Sequence, residues 1–208
     1  MRKSLLFVWA CMGLVCLMSA CKTSVKSKEW KLVWVEDFDQ KNSFDESVWT
    51  KIPRGTSDWN NYMSYYDSCY AMQDGNLILR GIANHTQKND TAPYLTGGVY
   101  TKGKKLFTGG RVEVCARLQA AKGAWPAIWM LPEKAEWPKG GEIDIMERLN
   151  HDHIAYQTTH SYYTHILGIK DNPPHGGINK INPEEYNIYS VDIYPDSLVF
   201  AVNHRHTY

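Results

Sequence analysis

Three carboxylates alternate with apolar residues in the segment GEIDIME at 141–147, which is the part of this chain best equipped for chemistry. A β-strand turns successive side chains to opposite faces, so Glu142 and Asp144 would share one face. Glu147 would face the other way in a regular strand. A β-bulge at Ile145–Met146 would return it to the first face, as bulges beside active sites do. The spacing therefore predicts three acids that converge on one face of a sheet.

Three convergent carboxyl groups repel one another when ionised, so their pKa values must separate. A pair of carboxyls of which one is ionised and one protonated has the chemistry that glycoside hydrolysis requires, because one acts as nucleophile and the other as proton donor. Two other interpretations stay open for the motif by itself. The acids could line the solvated face of an edge strand, or they could bind calcium through their oxygens.

An aromatic block, GAWPAIWMLP at 123–132, precedes the acidic segment and favours the carbohydrate interpretation. Sugar rings present apolar C–H faces on which aromatic side chains stack. Trp125 and Trp129 are four residues apart and would face the same side of a regular strand, although Pro126 makes the start of that strand irregular. We expect Trp125 in a cleft beside the acids, and Trp129 near that cleft or in the core.

Short apolar runs separated by turn residues fill most of the chain, and helical periodicity is almost absent. A hairpin turn is expected at Asp74–Gly75. These patterns indicate an all-β domain. The runs predict ten strands, at 31–36, 69–72, 76–82, 97–101, 109–118, 127–131, 142–147, 155–161, 186–194 and 197–203.

The composition suits one globular domain with a polar, ring-shaped ligand. Tyr (13) and Trp (8) outnumber Phe (5), and Tyr and Trp combine an apolar face with a polar group. The formal net charge is +1 and the chain has no basic run, which argues against a nucleic-acid partner.

Together these motifs resemble glycoside hydrolase family 16, which contains laminarinases, mixed-linkage glucanases, agarases, carrageenases and endo-β-galactosidases. The run GGRVEVCARL at 109–118, the tryptophan block and the acidic segment carry the likeness, which extends from about Trp34 to the C-terminus. The resemblance implies a concanavalin-like β-jelly-roll sandwich of two antiparallel sheets with a concave substrate cleft. It also implies that Glu142 is the nucleophile, Asp144 its electrostatic helper and Glu147 the general acid/base.

The resemblance implies further cleft residues. His160 follows the acidic segment where the family places a histidine, and Arg80 stands where the family often has an arginine. A core or surface role is the alternative for both. Asn60 and Asn61 fall in the position of a sugar-binding loop, and which of the two amides acts is open. Arg148 is expected to point to the opposite face in a structural or rim position.

The function implied by the resemblance is a retaining endo-β-glycosidase that cuts β-1,3- or mixed β-1,3/1,4-glucan. The long segment 161–177 is rich in Tyr and His and departs from a plain glucanase pattern, so a galactan or the poly-lactosamine of host mucin O-glycans is the alternative. A non-catalytic glycan-binding lipoprotein is a second alternative, which the intact set of three acids disfavours. We expect a monomer with a glycan partner and no required cofactor. A structural calcium near Glu36 is implied by the family.

The N-terminus has the pattern of an export signal. Residues 1–20 contain a basic start and an apolar run at 5–17 that is too short for a transmembrane helix. Small residues before Cys21 resemble a bacterial lipobox, which implies lipidation of Cys21 and a membrane contact through that lipid alone. Lys22 then favours the outer membrane.

The remaining chain divides into a polar tether at 21–29 and a catalytic domain at 30–208. Family members continue with further strands, so we expect the domain to extend beyond Tyr208. Cys69 and Cys115 lie in strand-like runs, and they could form a disulfide or remain free thiols.

Overall fold

The structure is a computed structural model in which residues 30–40 and 42–208 are described. The predicted signal peptide, the lipidated Cys21 and the tether at 21–29 lie outside the described residues. Residues Leu32–Tyr208 fold as one unit. Within the described ranges, no helix has the length and hydropathy needed to cross a membrane.

Strands make up nearly all of the regular structure, joined by one 3-10 turn at Asp67–Cys69 and one π-helical turn at Tyr162–Ile166. In chain order the strands are β1 (Thr50–Lys51), β2 (Tyr70–Gln73), β3 (Asn76–Leu79), β4 (Gly81–Ala83), β5 (Tyr94–Thr96), β6 (Val99–Tyr100), β7 (Gly110–Ala116), β8 (Ala127–Met130), β9 (Glu142–Glu147), β10 (Ile154–His160), β11 (Gly176–Lys180), β12 (Asn187–Ile193), β13 (Leu198–Val202) and β14 (Arg205–His206).

Two four-stranded antiparallel sheets form the body of the fold. The first, here called the acidic sheet, has the order β11-β10-β9-β8, and the second, the opposite sheet, has the order β14-β13-β12-β7. Short two-stranded ladders pair β1 with β6, β2 with β3, and β4 with β5. This arrangement confirms the predicted all-β sandwich. The core between the sheets contains Ile145, Met146, Ala155, Ile181, Tyr189, Val191, Phe200 and Val202.

The acidic strand β9 carries the predicted bulge. Asp144 pairs with Thr158 and Glu147 pairs with Tyr156, so two residues of β9 stand opposite one residue of β10. The pairing with β8 skips one residue at the same place, since Trp129 faces Asp144 and Ile128 faces Met146. The extra residue lies at Ile145–Met146, as the sequence predicted.

Gln157 stabilises this bulge from the core. A bulge leaves one strand carbonyl without its ladder partner, and a buried carbonyl without a partner is costly. The Gln157 side chain is fully buried, and its Nε2 donates to the carbonyl of Ile145 at 2.8 Å. The same Nε2 lies 3.3 Å from the carbonyl of Ala201 on β13. One amide therefore links the bulge to the opposite sheet.

The strand predicted at 31–36 is wrong. Those residues have no strand pairing in the described structure, and Leu32, Val33 and Val35 are exposed. Trp34 instead packs against Phe107 in a tilted arrangement, with the ring centroids 5.7 Å apart. An apolar run needs both a partner strand and a buried face to become a strand, and here only the tryptophan is packed.

Two other predictions about strands needed correction. The strand predicted at 76–82 divides at Arg80, because β3 pairs with β2 up to Leu79 whereas β4 pairs with β5 from Gly81 onwards. Strands β1, β5, β11 and β14 were not predicted, because they are short or, as in β11, begin with glycines.

The two described cysteines do not pair. Cys69 is fully buried beside the β2 ladder, whereas Cys115 is exposed on β7, and both thiols are free. Burial raises the pKa of the Cys69 thiol. Of the two possibilities left open by the sequence, the structure shows free thiols.

We predict that Gln157→Leu lowers the free energy of unfolding by about 1–3 kcal/mol, because it leaves the buried Ile145 carbonyl without a donor. Urea denaturation of both proteins measures the difference. The exposed Gln119, which bonds Glu184, provides the control, and Gln119→Leu should change stability by less than about 0.5 kcal/mol. Equal stability of the Gln157→Leu variant and the wild type would show that the bulge does not depend on this amide.

Candidate active site

Alternation along β9 divides its side chains between the core and the outer face of the acidic sheet. Ile143 and Ile145 pack into the core, so Glu142 and Asp144 turn to the outer face. The bulge shifts the alternation by one residue, which sends Met146 into the core and returns Glu147 to the outer face. The three acids therefore share one face of the sheet, as the sequence predicted.

Each glutamate of the motif accepts a hydrogen bond from a tryptophan in a loop. The indole N–H of Trp137 donates to Glu142 Oε2 at 2.7 Å, and the indole N–H of Trp125 donates to Glu147 Oε1 at 2.7 Å. Trp137 and Trp125 are about half exposed, at 48% and 47%, so they lie at the surface beside the acids instead of in the core. This outer face, with the acids and the two indoles, is here called the cleft face. The predicted position of Trp125 beside the acids is confirmed.

Burial and charge repulsion shift the pKa values of Glu142 and Glu147 in the direction opposite to these indole hydrogen bonds. Burial raises the pKa of Glu142 and of Glu147, and the negative charge of Asp144 raises both further. The N–H groups of Trp137 and Trp125 work in the opposite direction, because they favour the ionised carboxylate. A proton is therefore retained on the acids at a higher pH than on free glutamate, as a general acid requires.

His160 lies beside the central acid. It stands opposite Glu142 in the ladder, and its Nε2 is 3.3 Å from Asp144 Oδ2, within ion-pair distance but not aligned as a hydrogen bond. The close approach of the Asp144 side chain raises the pKa of His160, burial opposes the shift, and the negative charges of Asp144, Glu142 and Glu147 add to the rise. The prediction that His160 neighbours the acids is confirmed.

A second pair of tryptophans extends the cleft face of the sheet. Trp129 stands opposite Asp144 on β8, and the ring of Trp59 meets it edge to face, with the centroids 5.2 Å apart. Trp59 is 41% exposed. Trp129 therefore lies on the cleft side, one of the two positions that the sequence left open.

The structure separates the roles of the two asparagines. Asn60 Oδ1 accepts from the N–H of Ser57, and its amide fits against Gly55 so closely that a Cβ there would lie 2.3 Å from Nδ2. Asn60 is thus a turn residue. Asn61 Oδ1 is buried and has no hydrogen-bond partner among the described residues.

The two arginines lie away from the acids. The Arg80 guanidinium reaches the carbonyl of Ser68 at 3.3 Å, and in the described structure it makes no hydrogen bond to the motif. Arg148 is buried, with its guanidinium donating to the carbonyls of Asp152 and Leu118. The structural position expected for Arg148 is confirmed, whereas the cleft position expected for Arg80 has no support in these contacts.

Three cleft residues escaped the sequence analysis: Trp59, Trp137 and His165. The ring of His165 lies 4.4 Å from that of Trp137 and 6.4 Å from that of His160. For Trp137, the sequence offered one usable signal, which is the Trp-Pro pair that begins five residues before Glu142. The contact with His165 had no such signal, because it joins two separate loops.

The carboxylate of Glu36 is occupied by protein donors. It accepts from the N–H of Phe38 at 3.1 Å and from the indole N–H of Trp49 at 3.0 Å. The described residues contain no group of three or more His, Cys, Asp or Glu side chains that could hold a metal ion. A calcium ion at Glu36 stays a prediction.

We predict that Trp125→Phe raises the pKa of Glu147 further, because it removes the N–H that favours the carboxylate while burial and Asp144 remain. Carboxyl ¹³C NMR titration measures the shift, with the Glu147 signal assigned from its loss in Glu147→Gln. Trp59→Phe is the control and should leave that signal unchanged, because Trp59 contacts Trp129 and not the acids. A fall in the pKa would contradict the assigned role of the indole.

Comparison with known proteins identifies the relatives of this site. The XgeA-like catalytic domain of glycoside hydrolase family 16 matches residues 67–180. The keratan-sulfate endo-1,4-beta-galactosidase of Sphingobacterium multivorum is 37% identical over 191 residues, which cover 89% of this chain and 44% of that protein. The chain therefore spans less than half the length of that relative.

Two further matches come from Rhodothermus marinus. A beta-glucanase is 30% identical over 200 residues, covering 90% of this chain and 68% of that protein. The X-ray structure of a laminarinase matches with a TM-score of 0.76 at 29% identity, over 86% of this chain and 74% of that chain. The acidic strand, the sandwich and these matches agree, and the chain belongs to glycoside hydrolase family 16.

Proposed function

We propose that the domain is a retaining endo-β-glycosidase that hydrolyses internal β-linkages of a glycan. The observation that carries this proposal is the bulged strand β9, which brings Glu142, Asp144 and Glu147 to one open face with an indole N–H on each glutamate. A binding surface has no need of three mutually repelling acids, whereas displacement at a sugar carbon requires an ionised and a protonated carboxyl group.

In the first step Glu142 attacks the anomeric carbon of the bound sugar. Glu147 gives its proton to the glycosidic oxygen as that bond breaks, and a covalent glycosyl-enzyme forms. The Trp137 N–H favours the ionised form of Glu142 and orients its carboxylate. Burial and the charge of Asp144 raise the pKa of Glu147, which favours the protonated form of the donor.

In the second step Glu147, now ionised, takes a proton from a water molecule that attacks the same carbon. Glu142 leaves, and two displacements restore the original anomeric configuration. His160 contributes by its position beside Asp144, where a protonated imidazole offsets part of the negative charge of the site. The steps use side chains and water alone.

The walls of the cleft suit a sugar chain. Trp129 with Trp59 and the loop indoles Trp125 and Trp137 present aromatic faces and edges around the acids. Stacking surfaces with a few placed polar groups are typical of carbohydrate sites.

Two substrate classes have specific support. The laminarinase and beta-glucanase similarities favour a β-1,3- or mixed β-1,3/1,4-glucan. The 37% identity to a keratan-sulfate galactosidase favours a β-galactoside in a galactan or poly-lactosamine chain. The segment 161–175 also supports the galactoside, because it departs from the plain glucanase pattern and places His165 against Trp137.

A lipid on Cys21 would anchor the monomeric enzyme to the outer membrane.

The role of Glu147 predicts a dependence on the leaving group. Glu147→Ala should lose several orders of magnitude of activity on a polysaccharide, whose departing sugar needs a proton, and far less on an aryl glycoside, whose phenolate leaves unaided. Azide should restore the aryl reaction and give a β-glycosyl azide, because it attacks the intermediate without a base. Steady-state rates and product NMR measure both effects.

The matched control is Glu113→Ala, which removes an exposed glutamate from β7 in the opposite sheet and should keep wild-type rates on both substrates. If Glu147→Ala is impaired equally on both substrates and gives no azide product, the acid/base role moves to another residue, with Asp144 first in order.

The substrate class is decided by product profiling on laminarin, barley β-glucan, lichenan, keratan sulfate and mucin O-glycans. We expect internal cleavage of one class with the new reducing end first formed as the β-anomer, since two displacements retain configuration. The Glu142→Gln variant should release less than about a thousandth of the wild-type product. Any larger release by this variant would come from a contaminating glycosidase. A first-formed α-anomer, or no cleavage of any glycan, would contradict the proposal.

A further inference from the structure

The π-helical turn Tyr162–Ile166 follows β10 directly and is fixed at its start. The N–H of Ser161 donates to Thr164 Oγ1 at 2.9 Å, and the Ser161 hydroxyl accepts from the N–H of Thr164 at 3.2 Å. Thr164 is buried, and the N–H of the next residue, His165, donates to the carbonyl of Ser161 at 2.8 Å. These reciprocal bonds hold the backbone of His165 in one place.

His165 touches a residue that in turn touches the nucleophile. Its ring meets that of Trp137 at a centroid distance of 4.4 Å and an interplanar angle of 62°, and the Trp137 N–H donates to Glu142. Trp137 stands in a turn before β9 and is 48% exposed, so its own backbone and the core do little to fix the indole. Within the described chain, His165 is the aromatic ring that Trp137 contacts.

We propose that His165 is a positioning residue for the nucleophile, because its ring braces the Trp137 indole so that the N–H points at Glu142 Oε2. This inference rests on the proposed role of Glu142. The brace depends on the flat ring and its edge-to-face packing, not on the hydrogen-bonding atoms of the imidazole. A phenyl ring at the same position should therefore replace it.

Loss of the brace should change the ionisation of Glu142. The charged groups that act on this carboxylate are Asp144 and Glu147 on β9 and His160 on β10, and the ring of His165 lies 6.4 Å from that of His160. Burial and Asp144 raise the pKa of Glu142, and the Trp137 N–H opposes them. When the N–H is misaligned, the pKa of Glu142 rises. On lowering the pH, Glu142 then becomes protonated at a higher pH than it does in the wild type.

The test compares His165→Ala with His165→Phe. We expect Ala to lower kcat by about tenfold to a hundredfold, the scale of a misplaced reacting group, with KM changed by less than about twofold. The acid limb of the pH–rate profile should move to higher pH in the Ala variant, and Phe should restore both properties. His165→Asn is a second variant without an aromatic ring should the Ala variant fold poorly.

A readout that does not require activity is the indole N–H signal of Trp137 in ¹H–¹⁵N NMR, assigned from its loss in Trp137→Phe. Weakening of its hydrogen bond in His165→Ala should move the proton signal upfield, and His165→Phe should keep the wild-type position. His204→Ala is the matched control, because that exposed histidine lies 3.9 Å from Glu113 in the opposite sheet and contacts no tryptophan.

Two results would overturn the inference. One is an unmoved indole signal with wild-type kcat in the Ala variant. The other is a Phe variant as impaired as the Ala variant with a raised KM, which would mean that His165 binds the glycan directly. If the wild type cleaves no glycan, the proposed function fails, and the indole signal alone then decides whether His165 braces Trp137.

Discussion

The bulge in β9 is the constraint on which the site depends. A regular strand would have placed Glu147 in the core and Met146 in the cleft, and a single extra residue exchanges them. The exchange leaves a strand carbonyl without a ladder partner, and the buried amide of Gln157 satisfies it while also reaching Ala201 in the opposite sheet. Catalytic geometry and sandwich packing thus depend on the same few atoms.

Once the acids share a face, their electrostatics follow. Desolvation and the charge of Asp144 both raise the pKa values of Glu142 and Glu147, so both favour the protonated glutamate. The indole N–H groups of Trp137 and Trp125 oppose this shift without adding a charge. The charge of Glu142 also raises the pKa of Glu147, so ionisation of the first glutamate favours the protonated form of the second.

The parts of the fold that have a periodic sequence pattern could be predicted from the sequence alone. Strand β9 and its bulge were predictable, because alternation of acids with isoleucines leaves one arrangement that keeps the acids out of the core. The strand expected at 31–36 failed because hydrophobic residues alone do not provide a partner strand. Asn60 and Asn61 could not be told apart from their sequence, since one packs on Gly55 and that contact depends on the path of the loop.

The contacts that could not be predicted are those made by loop residues, and they lie on the face of the sheet that carries the acids. Trp59, Trp137 and His165 lie outside the two sheets and meet other residues of the cleft through ring contacts without sequence periodicity. In the proposed function, the sheet supplies the reacting acids and the loops supply the aromatic surfaces beside them. The acids are held by β9 and Gln157, so the positions of the acids do not depend on the loop segment 161–175. A chain with the fold of a laminarinase and a substantial identity to a galactosidase is consistent with that separation.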